Sequence, residues 1–261
     1  PVGIPVLGAI MRQTNIAHPS RHLGLVQASE RPDLENYLNT VADSVEAAVD
    51  IEHLTELAKP LPAVTPGPAM PPPAQSIAIA QDAAFAFAYP HILDDWHSAG
   101  ASLSFFSPLN DEAPEQSDMV FLPGGYPELY SGQLAAAANF SKGMLTAAKS
   151  AMIYGECGGY MVLGNGLIDA TGSKHKMLGL LSLESSFAKR NLHLGYRHLT
   201  PHGGPFSQAI NGHEFHYATT LNSKGSALFR ATDAQGAKLP DMGLMQGNIS
   251  GSFAHIIDQA L

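Results

Sequence analysis

The chain of 261 residues contains one cysteine, Cys157, and the residues around it are those expected around a catalytic nucleophile. It lies in the sequence Gly-Glu-Cys-Gly-Gly at residues 155–159, between an apolar segment that predicts a strand and another that predicts a short helix. This is the pattern of a nucleophile elbow, with cysteine in place of serine. Because the N-terminus of the helix would point at the sulfur, we expect a lowered thiol pKa and a thiolate nucleophile. A buried structural cysteine is the alternative, but it would not need glycines on both sides.

A second pair of glycines follows the apolar residues 120–122, in the sequence Pro-Gly-Gly-Tyr-Pro-Glu at residues 123–128. Glycine lets the backbone of a loop approach a ligand closely. If this predicted strand neighbours the one before Cys157, the amides of Gly125 and Gly158 would face the same ligand and form an oxyanion hole for acyl transfer. Taken alone, the same glycines are also typical of an ordinary tight turn.

A thiolate that attacks an acyl group needs a base, which is normally histidine, and the chain has 12 histidines. Two candidates are His216, in the sequence His-Glu-Phe-His at residues 213–216, and His255 near the C-terminal end. Spacing alone does not decide between them. An extended strand would place His213 and His216 on opposite faces, and the spacing is one residue short of the His-Glu-x-x-His of zinc proteases. We therefore expect no metal site.

The composition excludes several other classes of protein. A single cysteine allows no internal disulfide and no multi-cysteine zinc site. The net charge of −9 argues against a nucleic-acid partner, which needs a basic surface. The chain has no uninterrupted apolar stretch of about 18 residues and no signal-peptide pattern, so we expect no membrane partner and a cytoplasmic location. It also lacks the Gly-x-x-x-x-Gly-Lys-Ser/Thr sequence of a P-loop, so we expect no ATP or other cofactor in this chain.

A proline-rich segment divides the chain. Seven prolines fall within residues 59–75, and since proline has no backbone N–H, we expect a linker over residues 60–75 rather than a helix or strand. Before it, the apolar residues 4–11 predict a buried strand and the periodicity of residues 34–49 predicts a helix. Because about 60 residues are few for an independent core and the sequence begins without methionine, we expect residues 1–59 to be the end of a truncated domain.

The remaining residues, 76–261, predict a second and complete domain. Predicted strands and helices alternate up to the Cys157 motif, which is typical of a parallel sheet with helices on both faces. The predicted strands are residues 77–80, 103–106, 118–122 and 151–154, and the predicted helices are residues 90–99 and 133–149. After the motif the chain predicts a more β-rich half. Ligands bind beyond the carboxyl ends of parallel strands in such sheets, and both glycine motifs follow predicted strands.

These motifs together resemble those of the cobyrinic acid and hydrogenobyrinic acid a,c-diamide synthase family, amidotransferases of cobalamin biosynthesis. The two most specific matches are Glu-Cys-Gly-Gly and His-Glu-Phe-His-Tyr. The matching segments run in the family's order through nearly the whole chain, at residues 19–26, 82–87, 123–128, 155–161, 195–197 and 212–217. The resemblance implies an α/β, class I glutaminase-like open sheet with helices on both faces at residues 76–261. It also implies that residues 1–59 are the remnant of a P-loop-type α/β synthetase domain.

The resemblance further implies a function. The glutaminase domain would hydrolyse glutamine through a cysteine thioester and release ammonia. The synthetase domain would use ATP and Mg²⁺ to activate the a and c carboxylates of a corrin ring. The full-length enzyme would be a carbon–nitrogen ligase with glutamine as amido donor, and this chain would supply only its glutaminase half. Its partners would be glutamine and a corrin macrocycle, and a homodimer is compatible with this expectation.

Residue by residue, the resemblance assigns Cys157 as the nucleophile and the amides of Gly125 and Gly158 as the oxyanion hole. It favours His255 as the catalytic base, because the family's histidine follows an aromatic residue, as His255 follows Phe253. Four further motif residues are left as substrate-binding or structural, namely Glu156, His213, Glu214 and His216.

Two points stay open. Many class I glutaminases carry a glutamate two residues after the catalytic histidine, whereas this chain has Ile257 there, so the group that orients His255 is unknown. The function also has alternatives. They are a related cysteine-dependent amidotransferase, such as a cobyric acid synthase or a nickel-sirohydrochlorin a,c-diamide synthase, another cysteine hydrolase with the same sheet, and a non-catalytic corrinoid-binding module.

Overall fold

The computed structural model describes residues 3–21, 24–63 and 67–260. The chain divides into two compact units, Pro1–Gly67 and Pro68–Leu261, and the division falls within the proline-rich segment. The domain bounds given above stay a prediction. Residues 22 and 23 of the first matching motif and residues 64–66 of the predicted linker lie outside the described residues.

The first unit holds a short strand pair and two helices. β1 (Ser20–Arg21) pairs antiparallel with β2 (Gly24–Leu25), and α1 (Leu34–Ala48) confirms the predicted helix. α1 ends because Val49 is extended. α2 (Ile51–Leu57) follows, and it begins where the Asp50 side chain accepts the backbone N–H of His53 at 2.9 Å, as an N-cap residue does.

The buried strand predicted at residues 4–11 is wrong. Only Gly8 makes a bridge there, to Val49, and the side chains of Val6 and Met11 are 87% and 74% exposed. A strand is stable when a neighbouring strand satisfies its backbone N–H and C=O groups along its length. Within the described residues of this unit the segment has one such contact, so its apolar character alone does not make it a strand.

The second unit is an α/β half followed by a β-rich half, as predicted. The first half contains β3 (Ser76–Ala80), α3 (Pro90–Ser98), β4 (Ser102–Phe106), β5 (Met119–Leu122), α4 (Ser131–Ala136), α5 (Ala138–Ala147), β6 (Met152–Glu156) and α6 (Gly158–Leu163). The second half contains β7 (Gly166–Ile168), β8 (Lys174–Lys176), β9 (Ser182–Ser186), β10 (His193–Pro201), β11 (Ile210–His216), β12 (Thr219–Lys224), β13 (Phe229–Thr232), β14 (Leu244–Gln246), β15 (Ile249–Ser252) and β16 (His255–Gln259).

A six-stranded sheet forms the centre of this unit, with the strand order β14-β15-β6-β5-β3-β4. All neighbouring pairs are parallel except β14 with β15. Leu122 at the end of β5 is in register with Gly155 near the end of β6. The two glycine motifs therefore leave the sheet side by side at its carboxyl edge, which fulfils the condition set for a shared oxyanion hole.

Apart from β14 and β15, which join the central sheet, the strands of the β-rich half form two four-stranded sheets with the orders β13-β10-β11-β16 and β12-β9-β7-β8. The chain passes from β15 in the central sheet to β16 in the first of these sheets within two residues. His255 is the first residue of β16, and it is in register with His213 on β11. The chain therefore crosses from the central sheet to the sheet that contains β16 beside the carboxyl end of β6.

The single helix predicted at residues 133–149 is wrong, because the structure has α4 and α5 separated at Ala137. The side chain of Asp111 accepts the backbone N–H of Phe140 at 2.9 Å. It satisfies one of the free amides in the first turn of α5, as a local capping residue would. The new helix start therefore depends on a residue far upstream, which the alanine-rich periodicity does not reveal.

Apolar side chains bury both faces of the central sheet. One cluster includes Phe140 and Met144 of α5 and Leu163 of α6, and the other includes Trp96 of α3 with Phe206. Helices therefore cover this sheet as predicted, with part of one face covered by the β-rich half. Among the described residues, no helix combines the length and the apolar character needed to cross a membrane.

Candidate active site

The backbone at Cys157 has the shape of a nucleophile elbow. β6 ends at Glu156, α6 begins at Gly158, and Cys157 between them has φ 44° and ψ −101°. In the described chain, Asp111 is the other non-glycine residue with a positive φ. Such backbone strain persists where the surrounding structure holds it, and here Cys157 N–H donates to Ser252 O at 2.8 Å. The predicted strand–turn–helix geometry is confirmed, while the catalytic role of the thiol stays a prediction.

Two glycines after the cysteine allow this turn to pack. A Cβ at Gly159 would collide with the carbonyl oxygen of Leu122, and one at Gly158 would lie 2.8 Å from Cδ of Pro127. Real Cβ atoms essentially never come this close, so the helix could not reach the β5 loop with larger residues at these positions. The glycines are a packing requirement of the elbow.

The two predicted oxyanion-hole residues lie next to each other. A Cβ built on Gly158 would be 3.0 Å from the backbone nitrogen of Gly125. The amide of Gly158 is also near enough to the Cys157 sulfur to lower the pKa of the thiol. An acyl oxygen bound beside this sulfur would therefore have two backbone amides within one small region, as an oxyanion hole requires.

His255 lies against the same loops. Its side chain is buried, and a Cβ on Gly124 would collide with its Cε1 atom. Its Nδ1 atom is 3.9 Å from Oε2 of Glu156, the residue before the nucleophile. The structure thus brings His255 to the edge where Cys157 and the oxyanion glycines meet.

His213 packs on the candidate base, and His216 does not. The rings of His213 and His255 are stacked, with centroids 4.9 Å apart and planes 7° apart, and the Tyr89 hydroxyl is 2.6 Å from Nε2 of His213. His216 points to the opposite face of β11, as predicted, where its ring stacks on Phe253 with centroids 4.0 Å apart. Sequence spacing left the choice between His216 and His255 open, and this packing favours His255.

Glu214 of β11 forms an ion pair with Arg197 of the neighbouring strand β10. Its Oε2 accepts the Arg197 Nε–H at 2.7 Å, and its Oε1 is 3.5 Å from Nε2 of His216. Burial raises the Glu214 pKa, but hydrogen bonds from His216 and Arg197 outweigh it and leave the pKa below its usual value. The negative charge of Glu214 reaches the nucleophile, since it raises the pKa of Cys157.

The expectation of a lowered thiol pKa is wrong in this structure. Burial is the largest cause and raises the pKa of Cys157 far above its usual value, and the charge of Glu128 raises it further. The Gly158 amide lowers it, but by less. Six residues of helix behind the sulfur do not offset complete burial among carboxylates, because desolvation disfavours the charged form. Burial therefore favours the neutral thiol of Cys157 at rest.

The candidate base is also neutral. Burial, and then the charges of His213 and His216, lower the pKa of His255 to about 3. Its imidazole therefore has a free lone pair throughout the physiological pH range and can accept a proton. A neutral thiol and a neutral imidazole near two backbone amides would suit a reaction in which proton transfer accompanies nucleophilic attack.

Sequence reasoning missed three side chains of this site. Tyr89 holds His213, Arg197 pairs with Glu214, and Glu128 is buried near the thiol. Arg197 and Glu128 lie in the matching segments 195–197 and 123–128. The sequence therefore marked both residues but assigned neither of them a role. Tyr89 has no such signal, because its contact joins residues 124 positions apart. Among the described residues, no group of three or more His, Cys, Asp or Glu side chains is arranged to hold a metal ion.

The chain is similar to known proteins over most of its length. Residues 76–260 match the CobB/CobQ-like glutamine amidotransferase domain family. A protein from Brucella anthropi named hydrogenobyrinate a,c-diamide synthase is 50% identical over 265 residues, which cover 99% of this chain and 61% of the relative. A protein of the same name from Rhodobacter capsulatus is 48% identical over 261 residues, covering 98% of this chain and 60% of the relative.

The match covers part of each curated relative, and it extends at lower identity to solved structures. The chain spans about three fifths of the length of the curated relatives that it matches. Among solved structures, a chain from the structure of PurLQS from Thermotoga maritima matches 70% of this chain and 87% of its own, at 17% identity and a TM-score of 0.46.

Proposed function

Because the chain belongs to the CobB/CobQ-like glutamine amidotransferase domain family, we propose that it hydrolyses glutamine to glutamate and ammonia through a thioester on Cys157. One observation carries the proposal. The only cysteine of the chain lies on a strained turn at a sheet edge, where Gly158 comes close to Gly125 and the His255 imidazole packs against Gly124. This arrangement suits acyl transfer from a small amide substrate.

The reaction proceeds in two halves. The Cys157 sulfur attacks the side-chain carbonyl carbon of glutamine while its proton passes to His255. The amides of Gly125 and Gly158 hold the oxyanion that forms. His255 then gives the proton to the leaving nitrogen, the C–N bond breaks, and ammonia and a glutamyl thioester result. Water attacks the thioester with His255 as base, which releases glutamate and restores the thiol.

The ammonia has a use that the relatives' names suggest. We propose that the longer protein amidates the a and c carboxylates of hydrogenobyrinic acid, since relatives with that activity in their name are about half identical to this chain. ATP and Mg²⁺ would activate these carboxylates. The residues present do not fit an ATP site, because the chain has no P-loop sequence, and glutamine hydrolysis by this chain includes no step through the nucleotide.

The organisation of the chain follows the same proposal. Residues 1–59 would be the end of a synthetase domain, and the proline-rich residues 60–75 would tether it to the glutaminase domain. A catalytic thiol has to stay reduced, which suits the cytoplasm. The homodimer stays a prediction.

A diazoketone analogue of glutamine tests the nucleophile. We expect mass spectrometry of the treated chain to show one covalent adduct, on the tryptic peptide with Cys157, and no adduct in Cys157→Ser. Excess glutamine should slow the labelling, because analogue and substrate share one site. An adduct on any other residue, or labelling that glutamine does not slow, would contradict the proposed nucleophile.

Gly124→Ala tests whether the position of His255 matters. The added methyl group would overlap the imidazole, and a displacement of about 1 Å costs an enzyme about 10²-fold in rate. We expect a fall in kcat of about 10- to 100-fold, measured as glutamate release. Gly67→Ala is the matched control, since a Cβ there meets nothing within 4 Å. Equal rates for both variants would show that the contact between Gly124 and His255 has no catalytic importance.

A further inference from the structure

We propose that Glu156 is the positioning residue of His255, holding Nδ1 of the imidazole and offsetting the positive charge that the ring gains when it takes the Cys157 proton. The inference rests on the proposed glutamine hydrolysis. It assigns a role to the residue that precedes the nucleophile in the chain. It also supplies the partner that is missing after His255, where Ile257 occupies the place of the usual glutamate.

The sheet register brings this carboxylate to the histidine from a different strand. β15 runs parallel to β6, with Ser252 in register with Glu156, and His255 follows three residues later at the start of β16. Oε1 of Glu156 accepts the backbone N–H of Ile256 at 3.2 Å, and Oε2 is 3.9 Å from Nδ1 of His255. One carboxylate therefore holds the backbone beside the histidine and faces its ring.

The burial of Glu156 needs a reason of this kind. The residue is 4% exposed, and an isolated buried carboxylate is costly unless it is paired. The carboxyl group faces the His255 imidazole, with Oε2 3.9 Å from Nδ1. Hydrophobic residues of similar volume would pack the same position without this cost. A carboxyl group at this position is therefore best explained by the histidine that it faces.

The position of the carboxylate also fixes the useful tautomer. If Nδ1–H points at Glu156, the lone pair of the neutral ring is on Nε2, which is the nitrogen left to accept the Cys157 proton. A distance of 3.9 Å is too long for a hydrogen bond at rest. A positive charge on the ring would draw the two groups together, and catalytic hydrogen bonds often tighten only when substrate binds.

Stacking by His213 does not replace this role. His213 covers the face of the His255 ring, so it constrains the plane of the ring but contacts neither nitrogen along its lone-pair direction. Burial makes His213 harder to protonate, since it lowers the pKa. The stack therefore limits the orientation of the ring, whereas the carboxylate determines its proton position and charge.

If Glu156 positions His255 as proposed, its ionisation should change kcat/KM with pH, which a purely structural role would not do. Burial raises its pKa to about 8, against the lowering effects of the Ile256 amide and the Tyr154 hydroxyl. The titratable groups around the pair are Tyr154, Tyr89 and Cys157, which face Glu156, and His213 and His216, which act on His255. When Glu156 loses its proton, His255 becomes a stronger base, so kcat/KM for glutamine should rise as the pH rises through about 8.

The kinetic test uses Glu156→Gln, Glu156→Asp and a matched control, Glu184→Gln, whose carboxylate pairs with Lys174 elsewhere on the surface. Above pH 8, where the wild-type carboxyl is ionised, we expect kcat of Glu156→Gln to be about 10²-fold lower with KM changed less than about threefold, and the rise with pH to disappear. Glu156→Asp keeps a shorter carboxylate and should recover part of the rate. Glu184→Gln should match the wild-type rate and pH profile. A rate and pH profile of Glu156→Gln like those of the wild type would overturn the inference.

A second measurement does not depend on turnover. In the ¹⁵N spectrum of histidine side chains recorded above pH 8, wild-type His255 should have its proton on Nδ1, and Glu156→Gln should lose this preference. The variant His255→Asn identifies the signal. An unchanged tautomer in Glu156→Gln would refute the positioning role even in a chain that turns over no glutamine. Absence of turnover in the wild-type chain, with the tautomer change present, would count against the proposed function alone.

Discussion

Replacing Cys157 with alanine or His255 with asparagine should lower the rate of glutamine hydrolysis by at least about 10³-fold, and the double variant should be no slower than the slower single variant. The two residues act in one proton transfer, so removing either leaves the other without a partner. The burial of both groups strengthens this expectation, because a thiol with so high a pKa cannot ionise without a base beside it. Glutamate release at saturating glutamine measures all three variants.

His216→Asn is the matched control for this experiment. His216 is also a buried histidine, on the neighbouring strand β11, but it stacks on Phe253 and His193 on the far face of that strand. We expect this variant to keep at least about a tenth of the wild-type rate, because it loses packing and not the base. A loss at His216 as large as that at His255 would reverse the assignment. Additive losses in the double variant of Cys157 and His255 would show that the two act in separate steps.

The backbone shape of the elbow could be predicted because its signals are local. A strand, a glycine-flanked cysteine and an apolar helix follow each other within a few residues, and the backbone at Cys157 has the shape that this order requires. The alternation of strands and helices in residues 76–163 is local in the same sense. Where an element depends on a distant partner, as α5 depends on Asp111, the periodicity predicts the wrong boundary.

The side chains that surround the candidate nucleophile and base could not be predicted, since the register of paired strands brings them together. Glu156 and His255 are far apart in sequence, and they meet only because β15 pairs with β6. The stack of His213 on His255 likewise follows from the pairing of β11 with β16. The thiolate expectation failed for a related reason. Helix dipole effects can be inferred from sequence, but the burial that outweighs them here is a property of the assembled fold.

Glu156→Gln should also make the chain more stable at neutral pH, by about 3 kcal/mol at pH 7. In the folded chain the carboxyl keeps its proton up to about pH 8, whereas the unfolded chain releases it near the usual value of 4.5. The unfolded state therefore binds fewer protons between these two values, so each rise in pH within this window favours unfolding. Each pH unit is worth about 1.4 kcal/mol, and glutamine removes this cost because it does not titrate.

The pH dependence distinguishes this effect from a general gain in packing. Denaturant unfolding of the wild type and Glu156→Gln should give nearly equal free energies at pH 4.5, and the difference should grow as the pH rises to about 8. Glu184→Gln, at a partly exposed carboxylate, should show no such divergence. A pH-independent difference would mean that Glu156 does not titrate in this window. The combined expectation, a more stable chain with a slower reaction, is that of a residue kept for its ionisable carboxyl group at a cost in stability.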